Sequence, residues 1–555
     1  MPESFKPLNT NEDVPEIQPQ DSGLNRRTFL AQFAALTAAG GSLGAFWPKP
    51  LSASTGSGQQ VELYQQSVRP EALNDPAELT VAEAAFLIRT RRLAPIDLVD
   101  AYLDRIEQYD GIYKAFNTVL ADLARDQALS LGQHPGRHPL HGIPLAIKDL
   151  YYTEGVLTTA NSFIYQDFVP GFDATTVAKL KSAGGIVLGK TQMGPLATTR
   201  ATTPTGEITT VNAWAPLDPS VTPGGSSSGS ATAVAARMST SSIGTQTGGS
   251  ITSPSNSQGL TGLKPTMGRC SLYGIVPLTY TRDHPGPIAR DVKDAAILLQ
   301  TMAGSDPNDP RTRGLPPVPN LVAAATAVKR GRNVGLRWPT TIGVIAGYTD
   351  GTSETAIARS TMLDTFADLG ASIVEVDLPA EWSLLTGGAF NNVRLPERTE
   401  PFLEFLKQDP RLFGVSINSW INGLFMSGDE YLKGQRAKYR LLKEVLDITF
   451  QQCDVVVQTS PVPFDIIGLP EIAFPIGFAP NASGTTLPIG AILGAQPFAE
   501  DRLCAVVAAY QAATDYHLQR PPELSTVPTF AARSFGGLRV SPEELESEDS
   551  KTPWD

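Results

Sequence analysis

Apolar and polar positions along the chain alternate between the spacing of helices and that of strands. Thr80-Val81-Ala82-Glu83 has the form of a capping box that opens a helix, and apolar residues recur at helical spacing from Pro95 to Ile106. Residues 143–148 read IPLAIK, a short strand, and a helix at 174–183 is followed by Gly-Gly and a strand at 186–188. This order predicts an α/β fold.

The same rhythm continues towards the C-terminus. Strands are predicted at 340–348, 372–378, 453–458 and 472–476, and helices at 353–369 and 502–514. No Pro-, Gly- or Ser-rich linker divides residues 75–520, and the chain beyond Pro521 is rich in proline and then acidic. The predicted division is a signal region at 1–55, a linker at 56–75, one folded domain at 76–520 and a loosely ordered acidic tail at 521–555.

Composition is that of a globular protein, with 41% hydrophobic and 18% charged residues among 555. The formal charge of -12 argues against a nucleic-acid or anionic-membrane partner, because phosphate binding requires clustered lysine and arginine. Cys270, Cys453 and Cys504 are widely spaced and form no CxxC pair. They are predicted to be buried thiols, with neither a disulfide framework nor a zinc site.

The N-terminal region resembles an export signal for folded proteins. Arg26-Arg27 precedes the apolar stretch AQFAALTAAGGSLGAF and the small-residue sequence LSAS. An anchor helix is the alternative, but Gln32, Thr37 and the glycines would span hydrocarbon poorly. The pattern predicts twin-arginine export to the periplasm and no stable membrane insertion after processing; a cytoplasmic protein is the alternative.

Three familiar patterns lack the context that their chemistry needs. GGIVLGKT at 184–191 matches a phosphate loop, but an apolar strand occupies the supposed loop. The histidines of HPGRHPLHG, His134, His138 and His141, have no acidic or thiol neighbour, so no metal site is predicted. GSSSG at 225–229 fits the nucleophile elbow, yet no strand precedes it.

A serine nucleophile without histidine needs another base, and a buried, neutral lysine can serve. Lys148 ends the apolar run 143–148, where a central strand would carry it to the edge of the sheet; a lysine that merely snorkels there is the alternative. Thr247-Gly248-Gly249-Ser250 combines flexible backbone amides with a hydroxyl. Ser250 is therefore the predicted nucleophile.

Several stretches together resemble the amidase signature family over residues 75–520. They are HGIPLAIKD, TPGGSSSGSATAVAA, GTQTGGSITSP, GLKPTMGRCSLYGIVPL, GPIARDVKDAA, GLPEIAFPIGF and LPIGAILGAQPFAEDRL. The resemblance implies a three-layer α/β/α sandwich around a large mixed sheet, with no metal or cofactor.

The resemblance also implies a Ser-cisSer-Lys triad. Its nucleophile is Ser250, its bridging serine is Ser226, 24 residues earlier, and its base is Lys148. The peptide bond before Ser226 is expected to be cis. The backbone amides of Thr247, Gly248, Gly249 and Ser250 are the predicted oxyanion hole. Ala197 and Ser226 are predicted to contact a small-molecule amide substrate.

The implied reaction is hydrolysis of a carboxylic amide to an acid and ammonia or an amine, through a seryl acyl-enzyme. The first alternative is the amidotransferase A subunit, which passes ammonia to partner subunits acting on charged tRNA; export and acidity argue against it. The second is a catalytically impaired binding or scaffold protein of the same fold, which the intact triad residues argue against. Ester hydrolysis by the same triad is a third.

Two residues depart from the family motif GTDTGGSIR: Gln246 replaces its Asp and Thr252 its Arg. Loss of both charges together leaves neither one orphaned, so activity is expected to persist. Residues 253–258 are also more polar than is typical of the family, which predicts more water behind Ser250.

Overall fold

A mixed sheet of eleven strands forms the centre of the part of the chain that the computed structural model describes, residues 68–133, 136–331, 333–414, 417–522 and 524. Its strands are β1 (Phe116–Val119), β2 (Pro144–Lys148), β3 (Ile186–Thr191), β4 (Ser241–Gln246), β5 (Thr261–Lys264), β6 (His284–Ala289), β9 (Thr341–Val344), β10 (Ser372–Glu375), β11 (Val455–Gln458), β12 (Glu471–Pro480) and β13 (Thr486–Ala495). A separate two-stranded sheet contains β7 (Val328–Arg330) and β8 (Asn333–Gly335).

Parallel and antiparallel pairs are both present in the large sheet. The strand order is β1-β3-β2-β4-β6-β5-β12-β13-β11-β9-β10. β2 lies between β3 and β4 and is parallel to both, and β9 lies parallel to both β10 and β11. The remaining pairs are antiparallel.

The α-helices of the described residues lie mostly between strands in the sequence. They are α1 (Val81–Arg89), α2 (Pro95–Tyr113), α3 (Ala121–Gly132), α4 (Thr175–Ser182), α5 (Ser228–Ala235), α6 (Thr252–Gln258), α7 (Val292–Met302), α8 (Leu321–Ala324), α9 (Glu354–Asp368), α10 (Trp382–Thr386), α11 (Gly388–Asn391), α12 (Arg394–Thr399), α13 (Leu403–Gln408), α14 (Asn418–Leu424), α15 (Gly428–Asp447), α16 (Val462–Ile467) and α17 (Glu500–Ala513).

Both faces of the central strands are covered. Every residue of β2, β3, β4, β5, β6 and β11 is buried, which requires packing on each side of the sheet. α5 packs against β2 and β4, α6 against β12 and β13, and α7 against β5 and β6. The α/β prediction with a large mixed sheet is confirmed.

Local sequence signals account for several helix starts. Thr80 caps α1 through a capping box with Glu83, Pro95 is the first residue of α2, and the Ser353 side chain caps α9. The predicted strand at 340–348 is shorter than expected, because residues 346–349 form a turn. The predicted strand at 472–476 is longer, since it belongs to the ten-residue β12.

The phosphate-loop pattern is a strand, as its apolar sequence indicated. β3 takes up residues 186–191, and Lys190 is completely buried within it. The Lys190 ammonium donates to the carbonyl of Tyr151 at 2.8 Å and to Thr158 Oγ1 at 2.6 Å, and it lies 3.4 Å from a carboxylate oxygen of Asp149. These contacts give Lys190 a structural role.

Other predictions fall partly or wholly outside the described residues. The predicted signal region and His134 lie outside them, as does nearly all of the acidic tail. Within the described ranges, no helix is both long and apolar enough to cross a membrane. The three cysteines are buried and free, as predicted.

Candidate active site

Lys148 is the last residue of β2, the strand that lies between β3 and β4. Its side chain is completely buried. The Nζ atom is close to three hydroxyl oxygens: Ser226 Oγ at 2.8 Å, Ser227 Oγ at 3.0 Å and Thr245 Oγ1 at 2.9 Å. The base predicted from the sequence therefore contacts the predicted bridging serine, and it is not a snorkelling surface lysine.

Burial sets the protonation of this amine. Removal from water lowers the pKa of Lys148 to about 7, although the carboxylate of Asp283 opposes the shift. A lysine with that pKa is about half neutral at pH 7, whereas an ordinary lysine with a pKa near 10.4 would be neutral in roughly one molecule in 2,500. Lys148 can therefore accept a proton at neutral pH.

The loop that carries Ser226 has a specific backbone geometry. The Gly225–Ser226 peptide bond is cis, as the family resemblance implied. A Cβ added at Gly225 would lie 2.6 Å from the carbonyl oxygen of Thr199 and 2.7 Å from Cα of Arg200, so only glycine fits there. The carbonyl oxygen of Ser226 accepts the amide N–H of Gly194 at 3.0 Å.

Ser250 lies in the short connection between β4 and α6 and is 8% exposed. β4 brings Thr245 to Lys148, and Ser250 follows five residues later. The Ser226 loop abuts the start of α6, because a Cβ added at Gly224 would lie 2.5 Å from Cα of Pro254. Lys148 and the Ser250 loop therefore lie at the same ends of two adjacent parallel strands, β2 and β4, and the Ser226 loop contacts both.

One of the predicted oxyanion donors has a partner within the protein. The amide N–H of Gly249 donates to Asp465 Oδ2 at 2.8 Å. Asp465 belongs to α16, more than 200 residues away in sequence. The amides of Thr247, Gly248 and Ser250 remain the predicted donors to an oxyanion.

Gln246, the last residue of β4, links the backbone that follows Ser250 to two buried acids. Its Nε2 donates to Asp465 Oδ1 and to Glu471 Oε2, each at 2.9 Å. Its Oε1 accepts the backbone N–H groups of Ile251 and Thr252, also at 2.9 Å. The residue that departs from the family motif is thus fully hydrogen-bonded in a buried position.

Lys264 supplies the positive charge of this buried cluster. Its Nζ lies 3.4 Å from Asp465 Oδ1 and 3.3 Å from Glu471 Oε2. Burial raises the pKa of Glu471 well above its usual range, Lys264 opposes the shift, and the neighbouring Asp465 adds to it. Burial therefore disfavours the charged form of Glu471, which shares this cluster with Asp465 and Lys264.

A second acid, Asp283, contacts Thr247, the first residue of the Ser250 loop. Asp283 accepts a hydrogen bond from Thr247 Oγ1, and Arg282 Nη2 donates to the carbonyl of Thr247 at 2.9 Å. Burial raises the pKa of Asp283, which its hydrogen bonds oppose. Asp283 is also the charged group that acts on Lys148.

Sequence reasoning missed Thr245, Asp283 and Asp465. Thr245 lies next to the motif residue Gln246, so strand alternation around Lys148 could have suggested it. Asp465 and Asp283 lie outside the glycine- and serine-rich motifs, and only the tertiary structure brings them to the loop.

The weaker predictions concern substrate contact and metal binding. Ala197 is buried at the end of a 3-10 turn, where its amide donates to the carbonyl of Gly194, the residue that also contacts Ser226. This places Ala197 near the Ser226 loop. Among the described residues, no group of three or more His, Cys, Asp or Glu side chains is arranged to hold a metal ion.

Comparison with known proteins identifies the family. The amidase family model matches residues 97–408. The chain belongs to the amidase signature family. It is an enzyme of the amide-cleaving class, as that membership and its structural neighbours indicate.

Relatives of two kinds are similar to this chain. The glutamyl-tRNA(Gln) amidotransferase A subunit of Roseiflexus sp. (strain RS-1) is 33% identical over 494 residues, 80% of this chain and 98% of the relative. The native peptide amidase of Stenotrophomonas maltophilia matches with a TM-score of 0.70 and 26% identity, over 81% of this chain and 99% of that one. The glutamyl-tRNA(Gln) amidotransferase A subunit of Thermotoga maritima matches with a TM-score of 0.63 and 26% identity, over 80% and 96%.

Proposed function

We propose that this chain hydrolyses carboxylic amides through an acyl-enzyme on Ser250, with Ser226 and Lys148 as its proton relay. The observation that carries the proposal is the 2.8 Å contact between Ser226 Oγ and the buried Nζ of Lys148, whose pKa is lowered to about 7. A hydroxyl in contact with a neutral amine can pass a proton to it.

The hydrogen-bonding capacity of a neutral amine is consistent with donation from Ser226 to Lys148. Neutral Nζ has two N–H groups and one lone pair, which matches its three hydroxyl neighbours. Ser227 Oγ can donate to the carbonyl of Thr245, 3.4 Å away, and so accepts from Lys148. The proposed relay requires Ser226 to donate into the lone pair, which leaves Thr245 Oγ1 to accept the second N–H.

The proposed reaction conserves atoms and protons at each step. Ser250 Oγ bonds to the carbonyl carbon while its proton passes to Ser226 and the proton of Ser226 passes to Lys148. The C–N bond then breaks, and the leaving nitrogen takes a proton back along the same relay. Water attacks the acyl-enzyme, its proton follows the relay, and Ser250 leaves as its oxygen is reprotonated. Amide and water thus give acid and amine.

Ammonia release from a panel of aliphatic, aromatic and C-terminal peptide amides tests this function. The wild type is compared with Ser250→Ala and Lys148→Ala, and Ser250 is assayed in parallel with a fluorophosphonate probe. The proposal predicts turnover of at least one amide and labelling of Ser250, with both lost in each variant. A folded protein that is neither active nor labelled would instead be the non-catalytic binding protein.

A second candidate is the A subunit of a glutamyl-tRNA(Gln) amidotransferase. Curated relatives at 30–34% identity carry that name, so the sequence comparison favours it over a free-standing amidase. The peptide amidases, with higher TM-scores, favour the free-standing enzyme. Glutamine hydrolysis that requires copurifying subunits and charged tRNA would identify the amidotransferase; turnover by the isolated chain would identify the amidase.

We also propose twin-arginine export, for which the Arg26-Arg27 pair and the following apolar stretch are the support. Fractionation of cells that produce the full chain tests this. Export predicts a shortened periplasmic form, which is lost when both arginines are replaced by lysine. An identical distribution of the wild type and the double variant would contradict it.

A further inference from the structure

The loop that carries Ser250 is fastened by two side chains outside the proposed triad. Asp465 accepts the amide N–H of Gly249, and Gln246 accepts the N–H groups of Ile251 and Thr252. Gln246 and Asp465 are themselves joined by a 2.9 Å hydrogen bond. The residue on each side of Ser250 is therefore held by one connected pair of side chains.

We propose that Asp465, acting with Gln246, is the positioning residue that sets the backbone orientation of the Ser250 loop. This proposal rests on the proposed function, since it assigns Asp465 to the same site. Asp465 does not contact the reacting atoms of the proposed reaction; it acts through the Gly248–Gly249 peptide group, whose N–H it holds. The fixed peptide group is separated from the Gly249–Ser250 peptide group only by Cα of Gly249, so it restricts the orientation of the predicted donors next to it, the amides of Gly248 and Ser250.

Charge explains why Gln246 suits this position. Three carboxyl groups would meet around Lys264 if residue 246 were the aspartate of the family motif, because Asp465 and Glu471 both accept from Gln246. Like charges at such distances oppose ionisation of each other. The Gln246 amide instead donates to both acids and accepts two backbone N–H groups. The two acids and two N–H groups also fix which end of the amide is oxygen.

The carboxylate of Asp465 suits its position equally. Its two oxygens have different partners, with Oδ2 on the Gly249 amide and Oδ1 on the Gln246 amide and near Lys264. An asparagine has one acceptor oxygen and cannot serve both amides, although its volume is nearly the same. Asp465→Asn therefore removes one fastening of the loop and preserves the packing.

The rate constant for fluorophosphonate labelling of Ser250, measured across pH 5 to 10, tests the proposal. Asp465→Asn and Gln246→Met are expected to lower it by about 10- to 100-fold, the effect of removing about 1.4 to 2.8 kcal/mol of transition-state stabilisation. The pH at half-maximal rate is expected not to change, since Asp465 is not among the groups that act on Lys148.

Asp454→Asn is the matched control. Asp454 also accepts a backbone N–H, that of Thr341 at 2.8 Å, but at the far end of the sheet beside β9 and β11. The labelling rate of this variant is expected to equal that of the wild type. Thermal unfolding of each variant shows which proteins are folded, and Gln246→Met tests the proposal should Asp465→Asn not fold.

The outcomes separate the two proposals. Wild-type rates in the folded Asp465 and Gln246 variants would overturn the positioning role, and so would slower labelling accompanied by a displaced pH midpoint, which would mean an effect through Lys148. An unlabelled wild type would instead overturn the proposed function. Slower labelling at an unchanged midpoint, with Asp454→Asn unaffected, is the expected result.

Discussion

Replacement of Thr245 by valine should move the pH dependence of Ser250 acylation to lower pH. Thr245 Oγ1 is one of the three oxygens around Lys148 Nζ, at 2.9 Å, and valine removes it with little change in shape. The ammonium form needs all three acceptors, whereas the neutral amine donates to only two. The variant therefore destabilises the charged form more than the neutral one.

The size of the shift follows from hydrogen-bond energies. A bond from a charged donor contributes about 1.5 to 3 kcal/mol and a neutral one about 0.5 to 1.5 kcal/mol, a difference on the order of 1 kcal/mol. Since 1.36 kcal/mol corresponds to one pKa unit, the pKa of Lys148 should fall from about 7 to between about 6 and 6.5. The N–H left unpartnered should also lower the free energy of unfolding by about 1 to 3 kcal/mol.

Labelling rates with the fluorophosphonate probe, measured from pH 5 to 9, give the midpoint of the acid limb directly. Thr261→Val is the control, because Thr261 is equally buried and accepts a side-chain N–H from Gln511 at 2.9 Å, away from Lys148. It should lose stability and keep the wild-type midpoint. A midpoint that stays near 7 or rises in Thr245→Val would refute the reasoning.

Three further predictions concern stability, each measured by chemical denaturation. Gly225→Ala should cost about 1 to 3 kcal/mol or more, because its Cβ would meet backbone atoms, whereas Gly111→Ala, with open space around its Cβ, should be neutral or stabilising. As pH rises from 7 towards 10.5, the free energy of unfolding of the wild type should rise relative to that of Lys148→Met by up to about 1.4 kcal/mol per pH unit. In this range Lys148 binds a proton only in the unfolded chain. A difference between the two proteins that does not change with pH would contradict this. Burial opposes ionisation of Glu78, but Arg237 and Arg290 hold its pKa at about 2. Its contribution to the free energy of unfolding is therefore complete above pH 4.5 and is lost as pH falls towards 2. The Glu78→Gln variant should lack this loss.

Local signals predicted much of the fold. The capping box at Thr80, the proline at the start of α2 and the apolar run that ends in Lys148 each act within a few residues, so the sequence around them is sufficient. The order of the strands in the sheet could not be predicted from such local signals. β4 lies between β2 and β6, and β5 is joined to β12, pairings that depend on how distant segments pack.

The candidate site likewise contains residues that local sequence predicted and residues that only the tertiary structure brings to it. Lys148 and the glycine- and serine-rich loops stand out in the sequence because strained backbone and nucleophilic chemistry require those residue types. Asp465 was not predicted, because a single acid in VPFDII carries no local sign of its distant partner Gly249. The pairing of Gln246 with two acids likewise became visible only in three dimensions; the sequence had suggested instead that two charges were simply lost together.

Titration of Lys148 in the intact enzyme tests the central claim most directly. Lysine labelled with ¹³C at Cε would be observed by NMR from pH 5 to 11, with the Lys148 signal assigned by its absence in Lys148→Met. A buried neutral base predicts a midpoint near 7 for that signal. A midpoint close to the ordinary lysine value of about 10.4 would mean that Lys148 is charged at neutral pH and cannot be the base.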